Sequence, residues 1–224
     1  MTRPEAQLTL FGAAEGVTAH RARSELEPGA SVLPGFATDE APALLAAIEA
    51  IAQAAPWRHM STGGGRRMSV GMTNCGEVGW VSDGNGYRYD AIDPATNRHW
   101  PALPSVFADL AARAADAAGF QTFASDACLI NRYVPGARLS LHQDRNERDF
   151  NEPIVSVSLG VTATFLWGGR TRADRPRKVR LEHGDVVVWG AAARMNFHGV
   201  DTLRADAHAL TGNVRFNLTL RRAR

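Results

Sequence analysis

The chain of 224 residues contains two cysteines, a single lysine and no long apolar run. Cys75 and Cys128 are too few for a disulfide framework, and they lack the Cys-x-x-Cys spacing of a structural zinc site. No apolar stretch approaches the roughly 18 residues that cross a bilayer, and the N-terminus lacks the basic-then-apolar pattern of a secretion signal. We therefore expect a cytoplasmic protein without a membrane segment, in a reducing compartment.

Charge alone does not indicate a partner, because the formal net charge is only +2. Its distribution is less even, and one short segment collects six cations: Arg170, Arg172, Arg175, Arg177, Lys178 and Arg180. Arginine pairs with phosphate oxygens in a bidentate manner, so this segment is a candidate for contact with nucleic acid. Since Lys178 is the only lysine, arginine is also this chain's usual cation, and a solvated surface explains the segment equally well.

The pattern of apolar residues predicts two helices followed by many strands. Helical periodicity covers residues 38–55 and 105–118, and from about residue 126 the apolar period becomes two. The predicted strands cover residues 126–134, 154–159, 163–167, 178–181, 186–189 and 214–220. Two helices before a series of short strands indicate an α+β, mainly β fold with a β-sandwich or jelly-roll core. Residues 1–30 lack such a pattern, and we expect a loosely held extension there, followed by one domain over residues 31–224.

Residues 56–101 are rich in glycine and carry interleaved aromatic side chains, among them Trp80 and Tyr87. Glycine-rich hairpins tolerate movement, and aromatic rings on such a surface can stack on flat ligands such as bases. The alternative is that these rings attach a long irregular segment to the core. For Trp80 and Tyr87, ligand contact and a packing role explain the pattern about equally well.

The chemistry of the chain is indicated first by His142 and Asp144, which are two residues apart. On an extended backbone both side chains point to the same face. If the fold brings His198 to them, two imidazoles and one carboxylate surround a metal and leave coordination positions open, as in non-haem Fe(II) oxygenases. A second His-x-Asp, His183 and Asp185, lies between two apolar strands, and we expect it to form a tight turn.

Near the C-terminus, residues 215–221 alternate between apolar and polar side chains. Arg215, Asn217, Thr219 and Arg221 share one face of the predicted strand. Such a face is often a solvated sheet edge, but two guanidinium groups beside an amide and a hydroxyl also suit a small dicarboxylate. Asn131 and Tyr133, spaced by two on another predicted strand, can add polar contacts. A metal triad with a pocket for a dicarboxylate is what a 2-oxoglutarate-dependent oxygenase requires.

These residues resemble the AlkB family of Fe(II)/2-oxoglutarate DNA dealkylases in order and spacing. The resemblance runs through about residues 56–222. It is carried by the segments 72–76, 92–94, 131–133, 142–144, 155–160, 183–190, 198 and 215–221. It implies a double-stranded β-helix (jelly-roll) catalytic core over residues 102–224, supported by the N-terminal helices, with residues 56–101 as a nucleotide-recognition lid.

The resemblance also implies a role for individual residues. The Fe(II) ligands would be His142, Asp144 and His198. The residues that bind 2-oxoglutarate would be Asn131, Tyr133, Arg215, Asn217 and Arg221. The damaged base and its strand would meet Met72, Trp80, Tyr87, Asn146 and Arg172. One departure concerns Asn146, which replaces an acidic residue in the family pattern His-Gln-Asp-Lys-Asp-Glu. An amide offers no negative charge to a cationic methylated base, so base preference is expected to differ.

The expected activity is oxidative demethylation of 1-methyladenine and 3-methylcytosine in alkylated DNA, with O2 as oxidant and succinate, CO2 and formaldehyde as products. We expect a monomer that prefers single-stranded DNA. The same core could act on RNA, including tRNA, and the sequence does not separate these substrates. A non-catalytic jelly-roll module that binds a ligand is a third reading, which the combination of the triad with both arginines disfavours.

Overall fold

The computed structural model describes residues 21–224, in which two helices and fifteen strands form. The helices are Ala41–Ala54 (α1) and Ser105–Ala117 (α2), and a single 3₁₀ turn covers Ala191–Ala193. The strands are Ser24–Glu27 (β1), Ala30–Leu33 (β2), Gly71–Gly76 (β3), Gly79–Asp83 (β4), Gly86–Asp90 (β5), Ile92–Asp93 (β6), Arg98–His99 (β7), Ala127–Tyr133 (β8), Leu139–His142 (β9), Ile154–Gly160 (β10), Ala163–Trp167 (β11), Arg177–Leu181 (β12), Val186–Trp189 (β13), His198–Val200 (β14) and Arg215–Arg221 (β15).

Most strands belong to two facing antiparallel sheets. The major sheet has seven strands in the order β1-β2-β13-β10-β15-β8-β3, and the minor sheet has four in the order β12-β11-β14-β9. Two separate hairpins, β4-β5 and β6-β7, lie beside them. Neighbours in the sheets are often distant in sequence, as in a jelly roll, and the predicted mainly β fold with this core is confirmed.

Side chains along the central strands alternate between an apolar face, which packs on the helices, and a polar face, which is directed toward the minor sheet. Val155, Val157 and Leu218 point toward the helices and join Leu44 and Leu110 in one core cluster. The residues between them, including Ser156, Ser158 and the polar side chains of β15, face the minor sheet. Because side chains of a strand point alternately to its two faces, burial of the apolar face against the helices fixes the register of the polar one.

The structure places both predicted helices but shortens them. α1 begins at Ala41, three residues after the predicted start, and no side chain caps it. Pro42 lies at its beginning, where the missing N–H is not needed. α2 agrees with the prediction to within one residue at its C-terminal end.

The N-terminal boundary differs from the expectation. Residues 1–20 of the predicted extension lie outside the described residues, but its last part forms the hairpin of β1 and β2. This hairpin joins the major sheet through the pairing of β2 with β13. Its partner strand lies more than 150 residues away, so local periodicity gives no sign of it.

The glycine-rich segment is divided between the sheet and the hairpins. β3 is the edge strand of the major sheet and pairs with β8, while β4 and β5 form the hairpin that carries Trp80 and Tyr87. In the described part of the chain no helix is long and apolar enough to cross a membrane.

Candidate functional site

The structure brings the predicted triad together between the two sheets. His142 ends β9, His198 begins β14, and these two residues are direct partners in the ladder. Asp144 follows two residues after His142, with its carboxylate oxygens 3.7 Å from Nε2 of each imidazole. One donor atom from each residue lies within 4.8 Å of the other two. Two imidazole nitrogens and one carboxylate oxygen therefore converge on one point.

Backbone contacts orient both imidazoles in the same way. His142 Nδ1 lies 2.9 Å from the carbonyl oxygen of Ser140, and His198 Nδ1 lies 3.1 Å from that of Asn196. A carbonyl only accepts, so each Nδ1 carries the proton and each Nε2 presents a lone pair to the centre of the triad. Such support of the remote nitrogen is typical of histidine that binds a metal.

Burial and neighbouring charges set the protonation states of the triad. Burial, with a smaller contribution from His142, lowers the pKa of His198 to about 3, so its imidazole is neutral. Burial alone would raise the pKa of Asp144, but the positive charge of Arg221 holds it well below its usual range. A neutral imidazole and an ionised carboxylate are the forms that coordinate a metal.

The polar face of β15 lines the cavity beside this triad. Arg215, Asn217, Thr219 and Arg221 are buried, each less than 10% exposed, so the alternative of a solvated edge is wrong. Asn217 donates through Nδ2 to the hydroxyl of Ser156 at 2.8 Å and to the carbonyl of Val157 at 3.0 Å. Thr219 donates its hydroxyl proton to Asn217 Oδ1 at 3.0 Å.

Arg215 lies in the deeper part of the cavity lining, opposite Tyr133 in the ladder of β15 with β8. Its Nη2 donates to the Ser158 hydroxyl at 2.8 Å, while its Nε has no hydrogen-bond partner. Burial lowers the pKa of Arg215 to about 10, so the guanidinium is still charged at neutral pH. Burial also raises the pKa of Tyr133, which therefore keeps its phenolic proton. The cavity thus offers a cation and a neutral donor to an anion.

The guanidinium of Arg221 binds the carboxylate of Asp144 in the triad. Its Nη2 lies 2.6 Å and its Nε 3.0 Å from Asp144 Oδ2, and its Nε lies 3.4 Å from Glu147 Oε1. Burial would lower the pKa of Arg221, but Asp144, Tyr89 and Glu147 together raise it above its usual range. Arg221 therefore keeps Asp144 ionised in a buried setting, besides lining the cavity.

Two charged residues next to the triad, Glu147 and Arg194, were not predicted from the sequence. Glu147 is buried and pairs with the equally buried Arg194 at 2.9 Å, and Arg194 also donates to the carbonyl oxygen of Asp144 at 2.9 Å. Tyr89 of β5 donates its hydroxyl proton to Glu147 Oε1 at 2.6 Å. The position of Glu147, three residues after Asp144, was a weak signal in the sequence. Arg194 has no local pattern that indicates its burial.

Three of the predicted substrate residues contact one another. The rings of Trp80 and Tyr87 stack with centroids 5.7 Å apart and planes at 18°. Asn146 accepts a hydrogen bond from Trp80 Nε1 at 3.0 Å, and its Nδ2 lies 3.4 Å from the carbonyl oxygen of Tyr87. The amide of Asn146 therefore connects the loop after the metal-binding pair to the indole of Trp80 and to the backbone of Tyr87.

The other two predicted substrate residues take different positions. Met72 is fully buried and lies opposite Asn131 in the ladder of β3 with β8, so it packs into the core next to the site. Arg172 is exposed, and its guanidinium carbon lies 5.2 Å from the ring centroid of Phe197, the neighbour of His198. Arg172 therefore packs on the chain neighbour of His198, and Met72 lies in the core.

The second His-x-Asp forms the expected turn. Gly184 has a φ of +84°, and an added Cβ there would lie 2.1 Å from the Thr38 hydroxyl. Asp185 accepts backbone hydrogen bonds from Gly35 at 2.9 Å and Glu182 at 2.8 Å, and Nδ1 of His183 accepts one from Gly160 at 3.0 Å. Their polar atoms are thus used to hold loops together.

The donor set and its surroundings fit Fe(II) with 2-oxoglutarate. Two histidines and one carboxylate leave coordination positions open toward the cavity. Buried polar atoms in native proteins usually have partners, yet Nε of Arg215 and Oδ1 of Asn131 have none in the described structure, although both residues line this cavity. A carboxylate in the cavity would satisfy the guanidinium, since it only accepts hydrogen bonds.

Comparison with known proteins agrees with this geometry. The sequence pattern of the 2OG-Fe(II) oxygenase superfamily matches residues 29–221. The chain is 54% identical over 198 residues to the α-ketoglutarate-dependent dioxygenase AlkB of Salmonella typhimurium strain LT2, covering 88% of this chain and 92% of that one. The AlkB of Escherichia coli K12 is 52% identical with the same coverage. The solved structure titled "The structure of OsALKBH1" matches with a TM-score of 0.79 and 27% identity, covering 90% of this chain and all of that chain.

The fold and the triad define an oxygenase that uses Fe(II), 2-oxoglutarate and O2. Within that superfamily the chain belongs to the AlkB family of α-ketoglutarate-dependent dioxygenases. The family resemblance predicted from the sequence is confirmed, and the non-catalytic reading is wrong.

Proposed function

We propose that this enzyme removes N-methyl groups from 1-methyladenine and 3-methylcytosine in DNA by oxidation. The observation that carries the proposal is the stacked pair of Trp80 and Tyr87, tied through Asn146 to the loop that holds Asp144. Aromatic rings of this kind stack on any base, and their faces attract a cationic methylated base in particular. Asn146 joins these rings to the loop of Asp144, whose triad suits Fe(II) and whose neighbouring charged cavity suits 2-oxoglutarate.

In this proposal His142, Asp144 and His198 hold Fe(II), and Arg215 binds the distal carboxylate of 2-oxoglutarate. Tyr133 donates its phenolic proton to the same carboxylate, and Asn131 adds an amide contact. Asn217 completes the binding site by holding Ser156 and Thr219 in the cavity lining, and Arg221 lies close to both the triad and the co-substrate. Support comes from the burial and charge of these side chains, since a charge-assisted hydrogen bond is strongest where water is excluded.

When bound, Fe(II) with 2-oxoglutarate and O2 supplies the oxidation that hydroxylates the N-methyl group, after which the hydroxymethyl product releases formaldehyde. The protein itself holds the co-substrate anchor and the metal ligands in position. The Ser158 hydroxyl accepts a hydrogen bond from Arg215 and fixes its guanidinium, and Arg221 keeps Asp144 ionised, while the backbone carbonyls of Ser140 and Asn196 keep both imidazoles in the binding tautomer.

Residues 56–101, which include the hairpin of β4 and β5, would act as the nucleotide-recognition lid of a single domain over residues 31–224, with the catalytic core over residues 102–224. A methylated Watson–Crick nitrogen is inaccessible in a duplex, so the target base must be flipped out or already be single-stranded. We therefore expect a preference for single-stranded DNA and action as a monomer. Within residues 21–224, Arg170, Arg172 and Arg175 form no ion pair and suit phosphate contact at the rim, whereas Lys178 and Arg180 pair with Asp201 and Glu182.

The experiment combines the enzyme with Fe(II) and 2-oxoglutarate without oxygen, and then adds O2 and an oligonucleotide that contains 1-methyladenine. Succinate, formaldehyde and unmodified adenine are measured together, with single-stranded DNA, duplex DNA and RNA of the same sequence as parallel substrates. We expect equal amounts of formaldehyde and repaired base, with the highest rate on single-stranded DNA.

Different results contradict different parts of the proposal. Succinate without formaldehyde on any methylated strand means that the substrate class is wrong. Faster repair of RNA than of DNA moves the proposal to an RNA substrate. If the wild-type enzyme forms no succinate, the assigned co-substrate site is wrong.

A further inference from the structure

A carboxylate from the first strand reaches the far side of the metal triad. Glu27 Oε1 accepts a hydrogen bond from Trp167 Nε1 at 2.6 Å and a second, short one from Asn196 Nδ2. Both donor residues are buried, with 4% and 2% of their surface exposed, whereas Glu27 itself is partly exposed. The contacts span 140 and 169 residues of sequence. One carboxylate oxygen thus satisfies two buried N–H groups.

The two donors flank the candidate ligand His198 on different sides. Asn196 precedes it by two residues, and the backbone carbonyl of Asn196 is the acceptor for His198 Nδ1 at 3.1 Å. Trp167 is the direct partner of His198 in the ladder of β11 with β14. Its ring also packs edge-on against Trp189 at 6.0 Å, and Trp189 lies 4.8 Å from the His198 imidazole. Glu27 therefore holds two residues next to His198. Asn196 orients the imidazole through its backbone carbonyl, and Trp167 pairs with His198 in the sheet and packs on Trp189 beside it.

A bulge in β1 aims the carboxylate at this point. Glu25 pairs with Ser31 and Glu27 with Ala30, so one additional residue, Leu26, stands between them on this strand. A bulge bends the strand and redirects the side chains that follow it. The Leu26 carbonyl accepts from Arg177 Nη1 at 3.0 Å, and the Gly29 carbonyl from the Gly190 N–H at 2.9 Å. The bulge and the turn after it are thus attached to the strands that surround the triad.

We propose that Glu27 is a positioning residue for metal binding: its carboxylate fixes Asn196 and Trp167 and so holds the imidazole of His198 in its coordinating orientation. The inference rests on the proposed role of His198 as a metal ligand. The first strand is then a part of the metal centre, although it contributes no ligand.

Removal of the Glu27 carboxylate is expected to weaken metal binding, because His198 then loses part of its support. Groups that orient a metal-bound histidine typically change metal affinity by about 10–100-fold, and because Glu27 acts one contact further out we expect about tenfold weaker binding for Glu27→Ala. Glu27→Gln retains a side-chain oxygen for both donors and is expected to bind within about threefold of the wild type. Asn196→Ala retains the backbone carbonyl but loses its attachment to Glu27, so it should weaken binding about as much as Glu27→Ala.

The experiment titrates the full-length apoprotein with Co(II), a spectroscopic substitute for Fe(II), and records the dissociation constant and the visible absorption spectrum. The matched control is Glu25→Ala on the same strand, because Glu25 is exposed and its side chain forms no hydrogen bond or ion pair in the described structure. His198→Ala is included to test the ligand itself, and the double variant Glu27→Ala/Asn196→Ala tests whether both residues act together. Thermal unfolding of each apoprotein is recorded in parallel.

We expect weaker Co(II) binding and an altered spectrum in Glu27→Ala and Asn196→Ala, near-normal values in Glu27→Gln and Glu25→Ala, and no additional loss in the double variant. Wild-type affinity and spectrum in both alanine variants would overturn the inference, even if their unfolding temperature falls, because Glu27 would then only stabilise the fold. Equal Co(II) binding by wild type and His198→Ala would instead contradict the proposed metal site.

Discussion

The buried interior of the site, which contains the triad and the arginines of β15, differs in its contacts from the lid of residues 56–101. Asp144, His198, Arg215 and Arg221 are at most 9% exposed, and charged partners or backbone groups hold them in place. In the lid, Tyr87 is 48% exposed. Two single hydrogen bonds join the lid to the exposed Asn146, one from Trp80 Nε1 and one to the backbone carbonyl of Tyr87. Since buried polar contacts are costly to leave unmade and exposed ones are not, changes inside should affect every substrate, whereas changes in the lid should affect the choice among them.

The largest effect is expected for His142→Ala, which removes a ligand of the triad. Formation of succinate and of formaldehyde should fall to the background rate for every methylated oligonucleotide, because the metal supplies the oxidation. The matched control is His208→Ala, a histidine outside the triad and the lid that stacks on His183 and should leave turnover unchanged. Retained turnover in His142→Ala would mean that the interior does not bind the metal as described.

A smaller effect inside the site is expected for Arg215→Ala. A hydrogen bond to a charged group contributes about 1.5–3 kcal/mol, so the KM for 2-oxoglutarate should rise about 10–150-fold. The KM for the oligonucleotide should change little. Arg222→Ala, an exposed neighbour that pairs with Glu152, serves as the control. Steady-state rates over a series of 2-oxoglutarate concentrations test this, and an unchanged KM would exclude Arg215 as the anchor.

Tyr89→Phe tests the contact that joins the two regions. The variant loses the 2.6 Å hydrogen bond to Glu147, which keeps its pairing with Arg194. We expect the KM for the methylated oligonucleotide to rise about tenfold, with an unchanged KM for 2-oxoglutarate, because a hydrogen bond to a charged partner contributes about 1.5 kcal/mol or more. If both KM values rise equally, the lid and the interior are not separate in function.

The smallest effect is expected for Asn146→Asp. A carboxylate still accepts the hydrogen bond from Trp80 and adds a negative charge beside a cationic base. Near the surface such a charge contributes about 1 kcal/mol or less, so kcat/KM for 1-methyladenine relative to a neutral methylated base should rise about two- to fivefold. Gln121→Glu adds the same charge on an exposed turn after α2 and should not alter this ratio. An identical ratio in both variants would mean that residue 146 does not sense the base.

The sequence predicted the parts of the fold in which local pattern and burial agree. The period of two in β15 placed Arg215, Asn217 and Arg221 on one face, and that face is buried because the alternate residues pack under the helices. The turn at His183 and Asp185 was predicted from its apolar neighbours for the same reason. In both places the nearest residues in sequence decide the structure.

The sequence did not indicate parts of the site that depend on distant contacts. β1 was expected to belong to a loose extension, because nothing near Glu27 in sequence shows that Trp167 and Asn196 will donate to it. A bulge also disrupts the alternation that would mark this strand. Glu147 and Arg194 were missed since a buried ion pair looks like any two surface charges until the fold brings them together.

The most direct test of the metal and co-substrate site is an anaerobic titration of the Fe(II)-loaded enzyme with 2-oxoglutarate, followed by visible absorption. The wild type should develop the charge-transfer band of a 2-oxoglutarate chelate of Fe(II), Arg215→Ala should require far more co-substrate, and His142→Ala should develop no band. A band of equal intensity and midpoint in all three proteins would contradict the assignment of the triad and of its neighbouring arginine.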